Sequence, residues 1–167
     1  MKTIHLHSGR EKRILLGHRW IFSNEISERL SDYEPGSWVE IRSSREVILG
    51  SGYINPQSLI AARLVCPPGR TPTEEFFRGL LTRAAARRSE TIYPGAECYR
   101  AVYGESDGLP GLVVDRYGEI LVYQITTLGM ARMEPLLQQI LLDVFKPRAL
   151  VYRNDTQVRA LEGLALE

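Results

Sequence analysis

The chain has 167 residues, enough for one domain or two small ones. Hydrophobic residues make up 44% and charged residues 25%, which is typical of a folded globular protein and excludes disordered and collagen-like chains. No apolar run reaches the roughly 20 residues of a membrane-spanning helix, and no apolar stretch follows the basic start as in a secretory signal. We therefore expect a cytoplasmic protein without a membrane partner. Two cysteines, Cys66 and Cys98, cannot by themselves form a disulfide framework or a four-ligand zinc site.

The formal net charge is only +1, but the basic residues are 18 arginines and 3 lysines. Arginine presents a planar set of donors that suits phosphates and also stacks on bases. A G+C-rich genome or a warm habitat would produce the same bias, so composition alone leaves both explanations open. The first 23 residues carry five basic side chains and one acidic side chain. This local excess predicts an anion-binding face near the N-terminus.

Residues 38–65 are patterned as short strands separated by glycines and by a turn at 55–58. The predicted strands are 38–42, 46–50, 52–54 and 59–65. Short strands with glycine punctuation predict a small, mostly antiparallel β-barrel. Upstream, residues 20–30 are predicted to form one or two helical turns capped by Ser23 or Asn24.

Three prolines between positions 66 and 72 interrupt any helix or ladder and predict a domain boundary. We place the domains at 1–69 and 70–167. Thr73 is the predicted N-cap of a helix over 73–90, because apolar residues then recur at helical spacing. Strands are predicted at 98–103, 111–116, 119–126 and 149–152, and helices at 129–145 and 157–161. The predicted fold class is therefore α+β, a β-barrel followed by an α+β domain with a β-hairpin and helices.

Candidate catalytic groups are few. The histidines are His5, His7 and His18, and no Gly-x-Ser-x-Gly elbow is present. His5 and His7 on one strand could form a metal pair, but further ligands are missing, so we expect no metal site. Cys66 and Cys98 are expected to be small apolar residues rather than nucleophiles. The glycines from 104 to 111 lie between two strands and open no helix, so we expect no phosphate cradle and no cofactor site.

Three carboxylates, Glu105, Asp107 and Asp115, lie in or near a turn-forming loop. Their simplest role is to bond backbone amides of the turn. The alternative is a small hydrolase that uses them for general acid–base chemistry, which would require a cleft and a second functional group. Of residues 10–22, the basic side chains could neutralise phosphates, whereas Trp20, Ile21 and Phe22 are expected in the core.

Residues 103–118 (YGESDGLPGLVVDRYG) resemble a segment characteristic of RlmI-like proteins, which are class I S-adenosylmethionine-dependent methyltransferases of large-subunit ribosomal RNA. Residues 17–26 are similar to the opening segment of that family, 50–65 to the end of its PUA domain, and 151–163 to the segment before its catalytic domain. The matches occur in order along the whole chain. One departure is Arg19, which precedes Trp20 where many relatives have proline.

The resemblance implies a PUA-like RNA-binding β-barrel, a middle domain, and ribosomal RNA as partner. It further implies methyl transfer to carbon-5 of a cytosine by a Rossmann-like domain that holds S-adenosylmethionine and a cysteine nucleophile. That domain has no counterpart in this sequence, so we expect no catalytic or cofactor residue here and no activity of the chain alone. RNA contact is carried over onto six residues: Arg10, Lys12, Arg13, Arg19, Tyr53 and Arg63.

We therefore predict the N-terminal, RNA-binding part of such a methyltransferase, which orients RNA for a C-terminal catalytic domain. A stand-alone PUA-type RNA-binding module without enzymatic activity is one alternative, and the hydrolase is the other. The sequence leaves open whether the chain forms a homodimer.

Overall fold

A computed structural model describes residues 1–166, and these divide into two compact units, Met1–Pro72 and a second unit that starts at Thr73. The division falls at the end of the proline-rich segment. The domain limits 1–69 and 70–167 stay a prediction.

The first unit is built on a five-stranded sheet. Its strands are β1 (Lys2–His5), β2 (Trp20–Ile21), β3 (Ser37–Arg42), β4 (Ile48–Ile54) and β5 (Ala62–Cys66). Their order is β1-β3-β4-β5-β2; β1 pairs with β3 in parallel, and the other pairs are antiparallel. Among the described residues no ladder closes this sheet into a barrel, because β2 has only two residues and pairs with β5 alone. A single bridge joins Leu6 to Ile26. The sheet is thus more open than the barrel predicted from the sequence.

Helical structure in the first unit is short. Helix α1 spans Glu11–Leu15, and 3-10 turns span Ser23–Glu25 and Leu30–Asp32. The helical turns predicted over 20–30 are confirmed only in part, because the segment starts as β2. The turn at Ser23–Glu25 forms because the Glu25 carboxylate accepts the Phe22 amide N–H at 2.9 Å. The side chains of Ile4, Val39 and Ile41 are fully buried in the core of this unit.

The second unit combines a four-stranded sheet with helices, which confirms the α+β class. Helix α2 (Glu74–Ala86) is followed by a π-helical segment (Arg87–Ile92), β6 (Cys98–Tyr103), β7 (Leu112–Tyr117), β8 (Ile120–Ile125), α3 (Leu128–Ala131), α4 (Glu134–Phe145) and β9 (Ala149–Tyr152). The strand order is β6-β7-β8-β9, with only the last pair parallel. Two 3-10 helices, Gly104–Asp107 and Gln157–Glu162, complete the unit.

The helices of the second unit differ from the sequence predictions at two points. Thr73 caps α2 as predicted, since its hydroxyl accepts the Phe76 amide N–H at 3.3 Å. The predicted helix over 73–90 changes to π-helical geometry after Ala86. The predicted helix over 129–145 is two helices, because Pro135 lacks an amide hydrogen and favours a new helix start. No helix of residues 1–166 is long and apolar enough to span a membrane.

Candidate nucleic-acid interface

Helix α1 presents two uncompensated cations. Its apolar residue Ile14 is buried, which turns the opposite side of this short helix toward solvent. Arg10 at the N-cap and Lys12 in the first turn are both exposed. Within residues 1–166, neither side chain has a carboxylate at ion-pair distance. Their charges are therefore available to an anionic ligand.

Arg13 lies on the same helix but has a different environment. Its guanidinium is 3.1 Å from the Glu25 carboxylate, which is almost fully buried. It also lies over the Phe22 ring, 5.2 Å from the ring centroid. Because a buried carboxylate requires a partner, Arg13 stabilises the turn at Ser23–Glu25. Its charge is already compensated by Glu25, in contrast to the charges of Arg10 and Lys12.

Arg19 binds the backbone of a neighbouring strand. Its guanidinium donates to the carbonyl oxygens of Leu64 and Val65 at 3.3 and 3.2 Å. The Arg19 carbonyl in turn accepts the Leu64 amide N–H at 2.8 Å. These bonds extend the β2–β5 pairing by one residue. A proline at this position could not supply the side-chain bonds, so this departure from the family pattern has a structural consequence.

Tyr53 and Arg63 are interior residues. Tyr53 is 1% exposed, and its ring packs edge-on against Trp38 at 6.2 Å. Arg63 is 8% exposed, and its guanidinium donates to the Ile60 carbonyl. Since both faces of β4 are covered, the Tyr53 ring offers no surface for stacking. We leave Tyr53 and Arg63 out of the proposed RNA-binding surface.

The structure adds exposed apolar residues that the sequence analysis missed. Leu15 and Leu16 are 72% and 82% exposed, and Trp20 is 41% exposed. The prediction that Trp20 belongs to the core is wrong, whereas Ile21 is fully buried. Adjacent strand residues point to opposite faces, so the dipeptide alone could have indicated that only one of the two is interior. We define the α1 surface as Arg10, Lys12, Leu15, Leu16 and His18. Part of it borders a shallow groove of about 340 Å³.

The candidate metal pair His5 and His7 is not supported by the geometry. His7 is exposed, whereas the His5 ring lies between two carboxylates, 2.5 Å from Glu28 and 3.1 Å from Glu46. The hydrogen bond to Glu28 raises the pKa of His5, an effect that partial burial opposes and Glu46 reinforces. No group of three His, Cys, Asp or Glu suited to a metal occurs in the described part of the chain. His5 therefore has a structural role, linking β1 to the two carboxylates.

Two of the three candidate carboxylates form arginine ion pairs. Asp107 binds the Arg88 guanidinium through both oxygens, at 2.6 and 2.7 Å. Asp115 binds Arg100 in the same manner at 2.8 and 3.1 Å. Glu105 lies in the 3-10 turn between β6 and β7. General acid–base catalysis needs a carboxylate oriented at a substrate, whereas these pairs hold strands and turns together. The contacts do not favour the hydrolase alternative.

The two cysteines differ in exposure. Cys66 is fully buried, and burial raises the pKa of its thiol to about 11. It remains a protonated, unreactive thiol at neutral pH, as expected for a small apolar residue. Cys98 is exposed at the start of β6.

S-adenosylmethionine is the cofactor that the resemblance implies for the full-length family, and among the described residues the glycine-rich stretch does not form a helix-opening turn of the dinucleotide-binding kind. In doubly wound nucleotide-binding folds, such a turn is accompanied by an acidic residue that binds the ribose. The glycine-rich stretch here forms the 3-10 turn Gly104–Asp107 between two strands. The nearby Asp115 forms an ion pair with Arg100.

Comparison with known proteins finds relatives over almost the whole chain. Residues 4–67 match a PUA-like domain. The chain is 34% identical over 163 residues to ribosomal RNA large subunit methyltransferase I of Cronobacter sakazakii, covering 96% of this chain and 41% of that protein. The protein of that name from Pseudoalteromonas atlantica is also 34% identical, over 95% of this chain and 41% of its own length. The chain thus spans about two fifths of these relatives.

Solved structures show the same fold. A candidate SAM-dependent methyltransferase from Streptococcus mutans superposes with a TM-score of 0.77 at 17% identity, over 92% of this chain and 41% of that one. A methyltransferase candidate in complex with SAH gives the same TM-score over 40% of its length. The family resemblance expected from the sequence motifs is confirmed. The chain therefore contains a PUA-like domain at residues 4–67 and is a relative of ribosomal RNA large subunit methyltransferase I over about two fifths of that protein's length.

Proposed function

We propose that this chain is the RNA-binding part of a ribosomal RNA methyltransferase. The PUA-like unit binds ribosomal RNA and orients the RNA for a catalytic domain in the remainder of the full-length protein. The protein would act in the cytoplasm, where ribosomal RNA resides. The observation that carries this proposal is the match over 96% of the chain to proteins named ribosomal RNA large subunit methyltransferase I. The PUA-like match over residues 4–67 supports it.

The α1 surface is the part of the first unit that we assign to RNA contact. Arg10 and Lys12 would each neutralise a phosphate, since neither charge is offset within the described residues. Each phosphate contact releases bound counterions, so RNA affinity falls steeply with salt concentration. Arg13 and Arg19 would position this surface through their bonds to Glu25 and to β5.

Salt dependence tests this assignment. The dissociation constant for a structured ribosomal RNA fragment is measured between 50 and 200 mM salt for the natural chain and for the R10A/K12A variant. Loss of two phosphate contacts should reduce the slope of log K against log salt by about 2. The control variant R70A/R83A removes the same charge from two exposed arginines outside the α1 surface and should leave the slope nearly unchanged. Equal slopes for the natural chain and R10A/K12A would place the interface elsewhere.

A methyltransfer assay tests whether the catalytic chemistry lies outside this chain. By resemblance, the cysteine nucleophile, the cofactor and the chemistry at cytosine carbon-5 belong to the part of the full-length protein that this chain does not align with. The chain alone, with S-adenosylmethionine and unmodified ribosomal RNA, should transfer no methyl groups. Turnover by this chain would refute the proposal that the chemistry lies outside it.

A further inference from the structure

The second unit contains an open groove of about 560 Å³ that the proposed function leaves unassigned. It lies between the π-helical segment Arg87–Ile92 and the β6–β7 hairpin. We define the tyrosine groove by six of its lining residues: Tyr93, Tyr99, Arg100, Tyr103, Arg116 and Tyr117. Three of the four tyrosines are about half exposed, at 43% for Tyr93, 56% for Tyr103 and 54% for Tyr117. Clustered exposed aromatic rings are typical of a binding surface.

The rings are held in place by neighbouring contacts. Tyr93 stacks on Tyr99 with 5.8 Å between centroids and 29° between planes. The Arg100 guanidinium lies 5.3 Å from the centre of the Tyr103 ring. Its bidentate pair with Asp115 across the β6–β7 ladder fixes that position. A groove organised before binding loses little conformational freedom when a planar ligand enters.

The charges in the groove favour a ligand that carries both an aromatic ring and a negative charge. The Arg100–Asp115 pair is neutral overall, and so is Arg88 with Asp107 beneath the groove. Arg116 donates to the Gly118 carbonyl and has no carboxylate partner among residues 1–166. One uncompensated arginine beside several π-faces suits an unpaired nucleotide better than an isolated phosphate or a duplex backbone.

We propose that the tyrosine groove binds unpaired bases of single-stranded RNA, which stack on Tyr103 and Tyr117 while Arg116 contacts the adjacent phosphate. This inference rests on the proposed function, because it assumes that RNA is the ligand. It extends that function by giving the second unit its own RNA contact, selective for single strands. A proline-rich peptide also docks on tyrosine rings, so its effect on the groove distinguishes the two ligands.

Cys98 provides a reporter inside the groove. It is exposed and lines the groove, whereas Cys66 is buried with a pKa raised to about 11. A thiol reagent such as iodoacetamide should therefore modify Cys98 selectively in the folded chain. We expect a single-stranded RNA oligonucleotide to slow this alkylation severalfold. A duplex of the same sequence should leave the rate unchanged. Equal protection by the duplex, or protection by a proline-rich peptide alone, would overturn the proposal.

Substitutions then test the rings directly. The Y103A/Y117A variant should bind the single-stranded oligonucleotide at least about tenfold more weakly, because stacking is lost at two positions. Y103F/Y117F keeps the aromatic faces and should retain the affinity. Y152A removes a tyrosine that is 54% exposed on β9, outside the groove, and should have no effect. Circular dichroism checks that each variant is folded. Unchanged affinity of folded Y103A/Y117A would refute the proposal.

The outcome separates this inference from the proposed function. R10A/K12A should weaken the salt dependence for structured RNA while single-stranded RNA still protects Cys98. If structured ribosomal RNA binds and the groove variants have no effect, only the groove assignment is wrong. If the natural chain binds neither RNA, the proposed function is wrong as well.

Discussion

Arg88 and Asp107 form a buried, bidentate ion pair that joins the π-helical segment to the 3-10 turn after β6. The two N–O distances are 2.6 and 2.7 Å, and the side chains are 8% and 5% exposed. Asp107 also accepts the Tyr103 amide N–H at 2.6 Å. All three contacts meet below the tyrosine groove. The pair therefore fixes both the hairpin connection and the floor of the proposed RNA contact.

Removal of this carboxylate should strongly destabilise the second unit. In Asp107→Asn, the Arg88 guanidinium remains buried without a counter-charge, which costs about 3–5 kcal/mol when one partner of a buried pair is lost. Urea denaturation followed by far-ultraviolet circular dichroism measures the change. Both tryptophans, Trp20 and Trp38, lie in the first unit. Tryptophan fluorescence therefore serves as an internal control that should not change.

Asp115→Asn is the matched substitution at an exposed pair. Arg100 is 46% exposed, so water screens its attraction to Asp115. We expect a loss of about 1 kcal/mol or less. If both variants lost the same free energy of unfolding, burial of the Arg88–Asp107 pair would not increase its contribution to stability.

Local patterns predicted some elements to the residue. The strands at 98–103 and 149–152 agree with β6 and β9, because strand-favouring valine and tyrosine residues there lie between turn-forming residues. The sequence also indicated that a carboxylate of the 104–111 turn would bond its own backbone, as Asp107 does with Tyr103. Its second partner, Arg88, lies 19 residues earlier in a helical segment. Only the tertiary fold brings Arg88 to that turn.

The candidate site was harder to predict, because strand periodicity does not reveal how many faces are covered. Six of the seven residues of β4 are buried, including both Tyr53 and its neighbours. An alternating strand of a small sheet would have presented Tyr53 to solvent. The tyrosine groove could not be predicted from the sequence for a different reason. Its four tyrosines come from three separate segments, and no local spacing connects them.

The His5–Glu28 contact should make the stability of the first unit depend on pH. The bond to Glu28 raises the pKa of His5 above its ordinary 6.5, so its contribution is complete below pH 6.5 and is lost as pH rises through the folded value. Burial tends to raise the pKa of Glu28, but its bonds with His5 outweigh that and lower it below 4.5. That contribution is lost as pH falls through the lowered value. The pair should stabilise most between about pH 4.5 and 6.5.

Unfolding of His5→Gln measures this effect. The difference in unfolding free energy between the natural chain and the variant, followed by tryptophan fluorescence, should shrink between pH 6 and pH 9. Glu28→Gln provides the control, because His5→Gln in that background should show a much weaker pH dependence. A difference that stays constant across this range would contradict the assigned ion pair.

Gly52 allows β4 and β5 to approach each other, and an alanine there should disrupt their pairing. A Cβ atom at this position would collide with the Arg63 carbonyl group, which belongs to the backbone and cannot rotate away. The ladder register also shifts between Ser51 and Gly52. We expect Gly52→Ala to destabilise the first unit by at least about 2 kcal/mol. The change is measured as a shift of the tryptophan fluorescence transition to lower urea concentration.

Gly79→Ala on α2 is the control, because this position has space for a methyl group. The nearest atom to the added Cβ belongs to the Arg83 side chain, at 3.9 Å. Because alanine favours the helix, it should stabilise the second unit by about 0.5–1 kcal/mol. If Gly52→Ala were as stable as the natural chain, the close approach of β4 and β5 would be incorrect.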